Sequence, residues 1–153
     1  SIGTETSKYD IDEVAVIETN IDDMNPELFG YVSEKLFNEG AKDVFMTPVF
    51  MKKNRPGTLL TVICDKSDTN KLIDIILNET TAIGVRSYHT SRKKLIREAK
   101  TVVTEYGEIK VKAVKVNSGT RITPEYEDCA KIALSKNIPV IEVYDAAKKA
   151  PLK

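Results

Sequence analysis

The sequence predicts an α+β fold, a ferredoxin-like βαββαβ sandwich over residues 13–90 followed by a small C-terminal lobe with a β-hairpin and two helices over residues 91–153. Residues 1–12 read as a polar leader or linker. Three observations carry this. Val14-Ala15-Val16-Ile17 and Leu59-Leu60-Thr61-Val62-Ile63-Cys64 are dense apolar runs suited to buried strands. Each is followed by apolar residues at helical spacing, first Leu28, Val32 and Leu36, then Leu72, Ile73, Ile76 and Leu77. The resulting element order is the split βαβ arrangement, an antiparallel sheet with two helices on one face.

Taken in order, strand one is expected over about Glu13–Thr19. Asn25 suits the cap of the first helix and Pro26 its first turn, while Gly40 ends it. Pro48 within Ala41–Met51 marks a strand at an edge or with a bulge, and Lys52-Lys53-Asn54-Arg55-Pro56-Gly57 makes a turn. Asp68 is placed to cap the second helix, Thr80-Thr81 to close it, and Ile83–Thr90 to form strand four. Arg92-Lys93-Lys94 is then a short basic linker or strand extension. The alternation of Ile109, Val111 and Ala113 with Lys110 and Lys112 predicts a hairpin about Tyr106-Gly107 with one wet face. Thr123 is expected to cap a third helix whose first turn holds Glu125, Glu127 and Asp128. Ile138-Pro139 breaks that helix before a last one bearing Val140, Val143, Tyr144 and Ala147.

Bulk composition excludes several functions. With 23 basic and 23 acidic residues there is no global field to attract nucleic acid or an anionic membrane. No apolar run approaches a membrane span and the leader has no signal-peptide core, so a cytoplasmic protein is expected. Cys64 and Cys129, without C-x-x-C spacing, read as buried thiols, and with His89 as the single histidine the chain cannot build a soft-metal cage by itself. A P-loop, a G-x-G-x-x-G fingerprint and a nucleophile beside a local base are all absent, and no catalytic residue is nominated.

What remains is oxygen ligands with lysine and arginine. Asn20-Ile21-Asp22-Asp23-Met24-Asn25-Pro26-Glu27 leads from strand one to a helix start, where carboxylates suit Mg²⁺ or Mn²⁺ and free N–H groups favour an anion. The βαββαβ order sends three junctions to one end of the sheet. They are this acidic loop, the basic hairpin Lys52–Gly57, and the turn Glu79–Gly84 with Arg86 just beyond it. Metal ligands and a phosphate clamp would meet there despite their separation in sequence.

Four stretches, Glu18–Glu27, Met51–Gly57, Glu79–Arg86 and Pro124–Cys129, together resemble the LarC family of nickel-insertion proteins in nickel-pincer cofactor biosynthesis, specifically its C-terminal domain. The resemblance implies a CTP-dependent cyclometallase that inserts Ni²⁺ into pyridinium bisthiocarboxylic acid mononucleotide, with this domain holding CTP and Mn²⁺ or Mg²⁺. It also implies dependence on the family's His-rich N-terminal half, and a homo-oligomer is expected. On that reading Asp22, Asp23 and Glu27 position the divalent ion, Lys52, Lys53, Arg55 and Arg86 hold the triphosphate, and Glu125, Glu127 and Asp128 line the rest of the nucleotide pocket. A non-catalytic oligomerisation or sensing module is the alternative use of the topology. An RNA-binding use would need stacking rings that Thr58–Cys64 does not offer.

Overall fold

The structure is a computed structural model that describes residues 9–152, so the reading of residues 1–8 as leader lies outside the described residues. The described residues divide into two compact units, Ile11–Lys93 and a second made of residues 9–10 with 94–152.

The first unit is built on a four-stranded sheet of β1 (Tyr9–Ile21), β2 (Asp43–Met51), β3 (Arg55–Cys64) and β4 (Arg86–Leu95), in the order β2-β3-β1-β4. β3 lies antiparallel to both β1 and β2, with Ile17 opposite Val62 and Met46 opposite Leu60. Helices α1 (Leu28–Asn38) and α2 (Thr69–Glu79) follow β1 and β3. Alternate residues of β1, Ala15, Ile17 and Ile21, join Val32 and Leu36 of α1 and Leu72 and Ile76 of α2 in one buried core. Each large aliphatic chain fully buried there contributes about 1.5–3 kcal/mol. α1 stops where Gly40 takes φ +112°, which lets Ala41 N–H reach the Leu36 carbonyl at 2.9 Å and Gly40 N–H that of Phe37 at 3.2 Å.

The second unit has a three-stranded antiparallel sheet, β5 (Arg97–Thr104), β6 (Gly107–Val116) and β7 (Gly119–Pro124), with helices α3 (Tyr126–Lys136) and α4 (Val140–Lys149). Its core joins Val102, Ile109 and Val111 to Cys129, Ala133, Val143 and Ala147.

The ferredoxin-like order and the two-helix lobe match expectation, with four local corrections. β1 begins at Tyr9, because the Tyr9-Asp10-Ile11-Asp12 stretch assigned to the leader continues the strand. β4 runs from Arg86 to Leu95 instead of Ile83–Thr90, so that Arg92-Lys93-Lys94 is the strand extension of the two alternatives, and the Arg92 guanidinium donates to both Asp12 carboxylate oxygens at 3.0 and 2.8 Å. The hairpin gains a third strand, and Thr123 lies in it opposite Lys112 instead of capping α3, which starts after Glu125. Asp68 precedes α2 as expected but makes no capping hydrogen bond; its carboxylate pairs with Lys71 at 3.4 Å.

Candidate functional site

Because β1 and β2 end where β3 and α2's exit begin, the first unit gathers its three predicted junctions at one end of the sheet. Specific hydrogen bonds tie them. Thr81, just after α2, donates its hydroxyl to the Asp23 carboxylate at 2.6 Å, and Thr19 of β1 donates to the Gly84 carbonyl at 2.8 Å. Arg86 donates to the Asn20 side-chain oxygen at 2.7 Å and lies 3.7 Å from the Glu18 carboxylate. Arg55, at the start of β3, lies 3.8 Å from Asp22. Residues separated by about sixty positions thus meet at the rim, as the topology requires.

Asn25 accepts from the Glu27 N–H at 3.1 Å, and Leu28 and Phe29 N–H close a turn on the Asn25 and Pro26 carbonyls. The regular helix starts two residues later than Pro26, but Asn25 performs the capping function on this preliminary turn. Asp22, Asp23 and Glu27 are all solvent-exposed around it.

The hairpin tip carries Lys53 and Asn54 with φ of +61° and +57°, a left-handed pair that turns β2 tightly into β3. Lys52, Lys53 and Arg55 are all exposed, and neither lysine has an ion pair among the described residues. They stand as open cations beside the paired Arg55.

Beneath the rim lies an apolar slot of about 450 Å³, with Met24, Phe29, Met46 and Pro48 among its walls and Asp22 at its edge. Gly57 also lines it, and a Cβ there would sit 2.5 Å from the Met51 sulfur and 3.1 Å from the Ile21 carbonyl oxygen, so any larger residue requires the Met51 side chain to move. The slot, and the contributions of Glu18, Asn20 and Thr81 to the rim, were not anticipated from sequence. Thr81 sits inside the turn already assigned to this end, so a hydroxyl in that junction was the available signal.

Oxygen donors fit a hard cation better than a soft one. Among the described residues, however, no three His, Cys, Asp or Glu side chains form a group able to hold a metal unaided. Asp22, Asp23 and Glu27 therefore do not make a preassembled cage, and a cation held by the adjacent Asp22 and Asp23 would draw further ligands from phosphate oxygens and water.

Glu125, Glu127 and Asp128 belong to the other unit. There Asp128 accepts the Lys110 N–H at 3.0 Å while Glu125 N–H donates to the Lys110 carbonyl at 2.8 Å, continuing the edge of β6 where β7 has ended. Glu127 is exposed in the first turn of α3. His89 is exposed on β4, and burial pushes both the Cys64 and Cys129 thiols up from their ordinary value, so neither cysteine is an activated nucleophile.

Fold and charge pattern together define a ferredoxin-like α+β domain with carboxylates and guanidinium donors at one end of its sheet. A family model described as nickel insertion protein matches residues 2–144, and the chain belongs to that family. It is 54% identical over 148 residues to the pyridinium-3,5-bisthiocarboxylic acid mononucleotide nickel insertion protein of Acetivibrio thermocellus, covering 97% of this chain and 36% of the relative. It is 48% identical to the protein of the same description from Clostridium acetobutylicum, again covering 36% of it. The chain therefore spans about a third of the length of these relatives.

Among solved structures it is similar to LarC2, described as the C-terminal domain of a cyclometallase involved in the synthesis of the NPN cofactor of lactate racemase, in apo form. That match has TM-score 0.83 and 44% identity over 90% of this chain and 96% of the other. A Methanopyrus kandleri crystal structure, 22% identical with TM-score 0.64, shares the fold. Among the described residues no helix is long and apolar enough to cross a membrane.

Proposed function

We propose that this domain binds CTP with Mn²⁺ or Mg²⁺ and serves nickel insertion into pyridinium bisthiocarboxylic acid mononucleotide, nickel being a substrate of the reaction. The observation that carries the proposal is the meeting of Asp22 and Asp23, the Lys52–Arg55 hairpin and Arg86 at one end of the sheet. Asp22 and Asp23 take the divalent ion, with Glu27 as a further acceptor. Lys52, Lys53, Arg55 and Arg86 take the triphosphate. Glu125, Glu127 and Asp128 are assigned to the nucleotide in the same reading.

The ion pairs favour this use because they are weak. Exposed pairs contribute about 0–1 kcal/mol, so exchanging Asp22–Arg55 for Asp22–metal and Arg55–phosphate costs little. Once Arg55 leaves Asp22, its planar fork is free to take two phosphate oxygens, and the carboxylate becomes an anionic ligand. The bound cation would neutralise phosphate charge and fix the orientation of the triphosphate. The organic pincer supplies sulfur ligands to nickel, which matches a domain whose own thiols are buried.

Complete nickel insertion is assigned to this domain acting with the remaining two thirds of a LarC-type chain, in a cytoplasmic homo-oligomer. The exposed Phe50, Ile83 and Leu134 side chains offer apolar contacts for such assembly.

Calorimetric titration with CTP, ATP, GTP and UTP, each with Mn²⁺, Mg²⁺ or chelator, tests the reading. Metal-dependent binding selective for CTP supports it. Binding of none, together with a stable oligomer by light scattering, would favour the assembly module instead.

A further inference from the structure

A recess of about 670 Å³ in the second unit is lined chiefly by residues of β5, β6 and β7, with Tyr9, Leu95 and Leu152, and by none of the proposed triphosphate residues. Its volume is in the range of about 300–1,000 Å³ typical of small-molecule sites. What distinguishes it is the kind of residue on the inner face of the sheet.

In β5 and β6, Val102 is opposite Ile109, Lys100 opposite Val111, and Glu98 opposite Ala113. Strand alternation therefore puts Lys100, Glu98 and Lys115 in phase with the buried Val102, Ile109 and Val111, and Thr120 is opposite Lys115. The same face that begins as core under α3 and α4 ends in charged groups lining a cavity. Of these, Lys100 is half-buried, whereas Glu98, Lys115 and Thr120 are exposed, as are Lys110 and Lys112 on the other face.

The charge inventory is specific. Glu98 and Lys100 form a pair at 3.3 Å, while Lys115 has no ion pair among the described residues. Leu95, Val114 and Leu152 supply an apolar wall, and Asn117 and Thr120 supply neutral polar groups. One carboxylate, two ammonium groups, neutral donors and an apolar wall complement a ligand that combines a cationic flat ring with acid groups and a sugar.

We propose that this recess binds a pyridinium mononucleotide bearing ring acid groups, the chemical class of the substrate named for the relatives; this rests on the nickel-insertion reading above. Glu98 faces the ring cation, Lys100 and Lys115 take the acid groups and the phosphate, and Asn117 and Thr120 serve the sugar hydroxyls. The triphosphate and the pincer precursor are then held by different residues, those of the recess being none of those assigned to the triphosphate.

The test uses the 153-residue chain and nicotinic acid mononucleotide as probe, followed by amide NMR shifts, with CMP and pyridine-3,5-dicarboxylate as comparisons and Mg·CTP titrated separately. Expected are probe-induced shifts at Glu98, Lys100 and residues 113–117, with weaker binding of CMP. Lys115→Glu should weaken the probe at least about tenfold, and Lys112→Glu should not. Glu98→Gln should weaken the charged-ring probe more than pyridine-3,5-dicarboxylate, whose ring nitrogen is uncharged. No binding, shifts confined to residues 20–58, or CMP bound as well as the probe would each overturn the assignment. Failure of Mg·CTP to perturb residues 20–58 would count against the triphosphate reading alone, so the two can fall separately.

Discussion

Replacing Asp22 by Asn separates a structural role from a ligand role, because the two predict effects of very different size. Its one ion-pair partner among the described residues is Arg55 at 3.8 Å, with the arginine side chain 64% and the aspartate side chain 29% exposed. Two unit charges at that distance in water interact by about 1 kcal/mol, and side-chain entropy and salt reduce it further. For a chain of this size 1 kcal/mol moves Tm by about 2–4 °C, so Asp22→Asn should stay within that range of the parent. Binding of Mn·CTP should fall much more. A contact to a charged group is worth about 1.5–3 kcal/mol, or roughly a 10- to 150-fold rise in Kd. Calorimetry of both variants, Asp22→Asn and Arg55→Ala, alongside thermal melts reads both quantities. Arg55→Ala should weaken the triphosphate while leaving cytidine binding nearly unchanged. An unaltered Kd for Mn·CTP in Asp22→Asn, or a melt lowered far beyond 4 °C, would refute the reasoning.

Other outcomes follow from particular contacts. Gly57→Ala places a methyl group against the Met51 sulfur and the Ile21 carbonyl, and overpacking of that kind costs about 1–3 kcal/mol, visible as a lower denaturation midpoint; a variant as stable as the parent would show that the slot has slack. The hydrogen bond and charge of Lys66 hold the Glu13 carboxyl below its ordinary 4.5, so this pair stabilises the fold above that pH and the contribution is lost as pH falls through the depressed value. Lys66→Met should therefore flatten the acid limb of the stability curve, and an unchanged limb would dismiss the pair. Cys64 and Cys129 are fully buried with raised thiol pKa values, so a disulfide-exchange reagent should modify neither in the native chain and both after denaturation.

Sequence pattern revealed most where burial imposes periodicity. The stripes on α1 and α2 and the runs in β1 and β3 are dictated by one core, and their order alone brings Asp22, Arg55 and Arg86 to one end. The lost elements lack that pressure. β7 has a single inward aliphatic, Ile122, before Pro124, and a four-residue stretch rich in threonine reads equally well as a helix cap. β4 is an edge strand whose residues from Arg86 to Ser91 are all exposed, so no apolar alternation marks its bounds. The pairings at the rim were illegible for another reason. Which hydroxyl meets which carboxylate depends on loop geometry, and Thr81–Asp23 spans 58 positions.

The edges of the first unit's sheet limit how copies of this domain can associate. One edge, β4, presents arginines and lysines with exposed Tyr88 and His89, and a second strand laid beside it would have to desolvate that row. The other edge, β2, contains Pro48, which has no N–H to offer an incoming ladder. Neither side templates continuous strand addition, so the sheet resists growth into fibres although its central strands are strongly apolar. Copies that meet at this sheet would instead do so through side-chain faces, where stoichiometry is set by surface shape and can close.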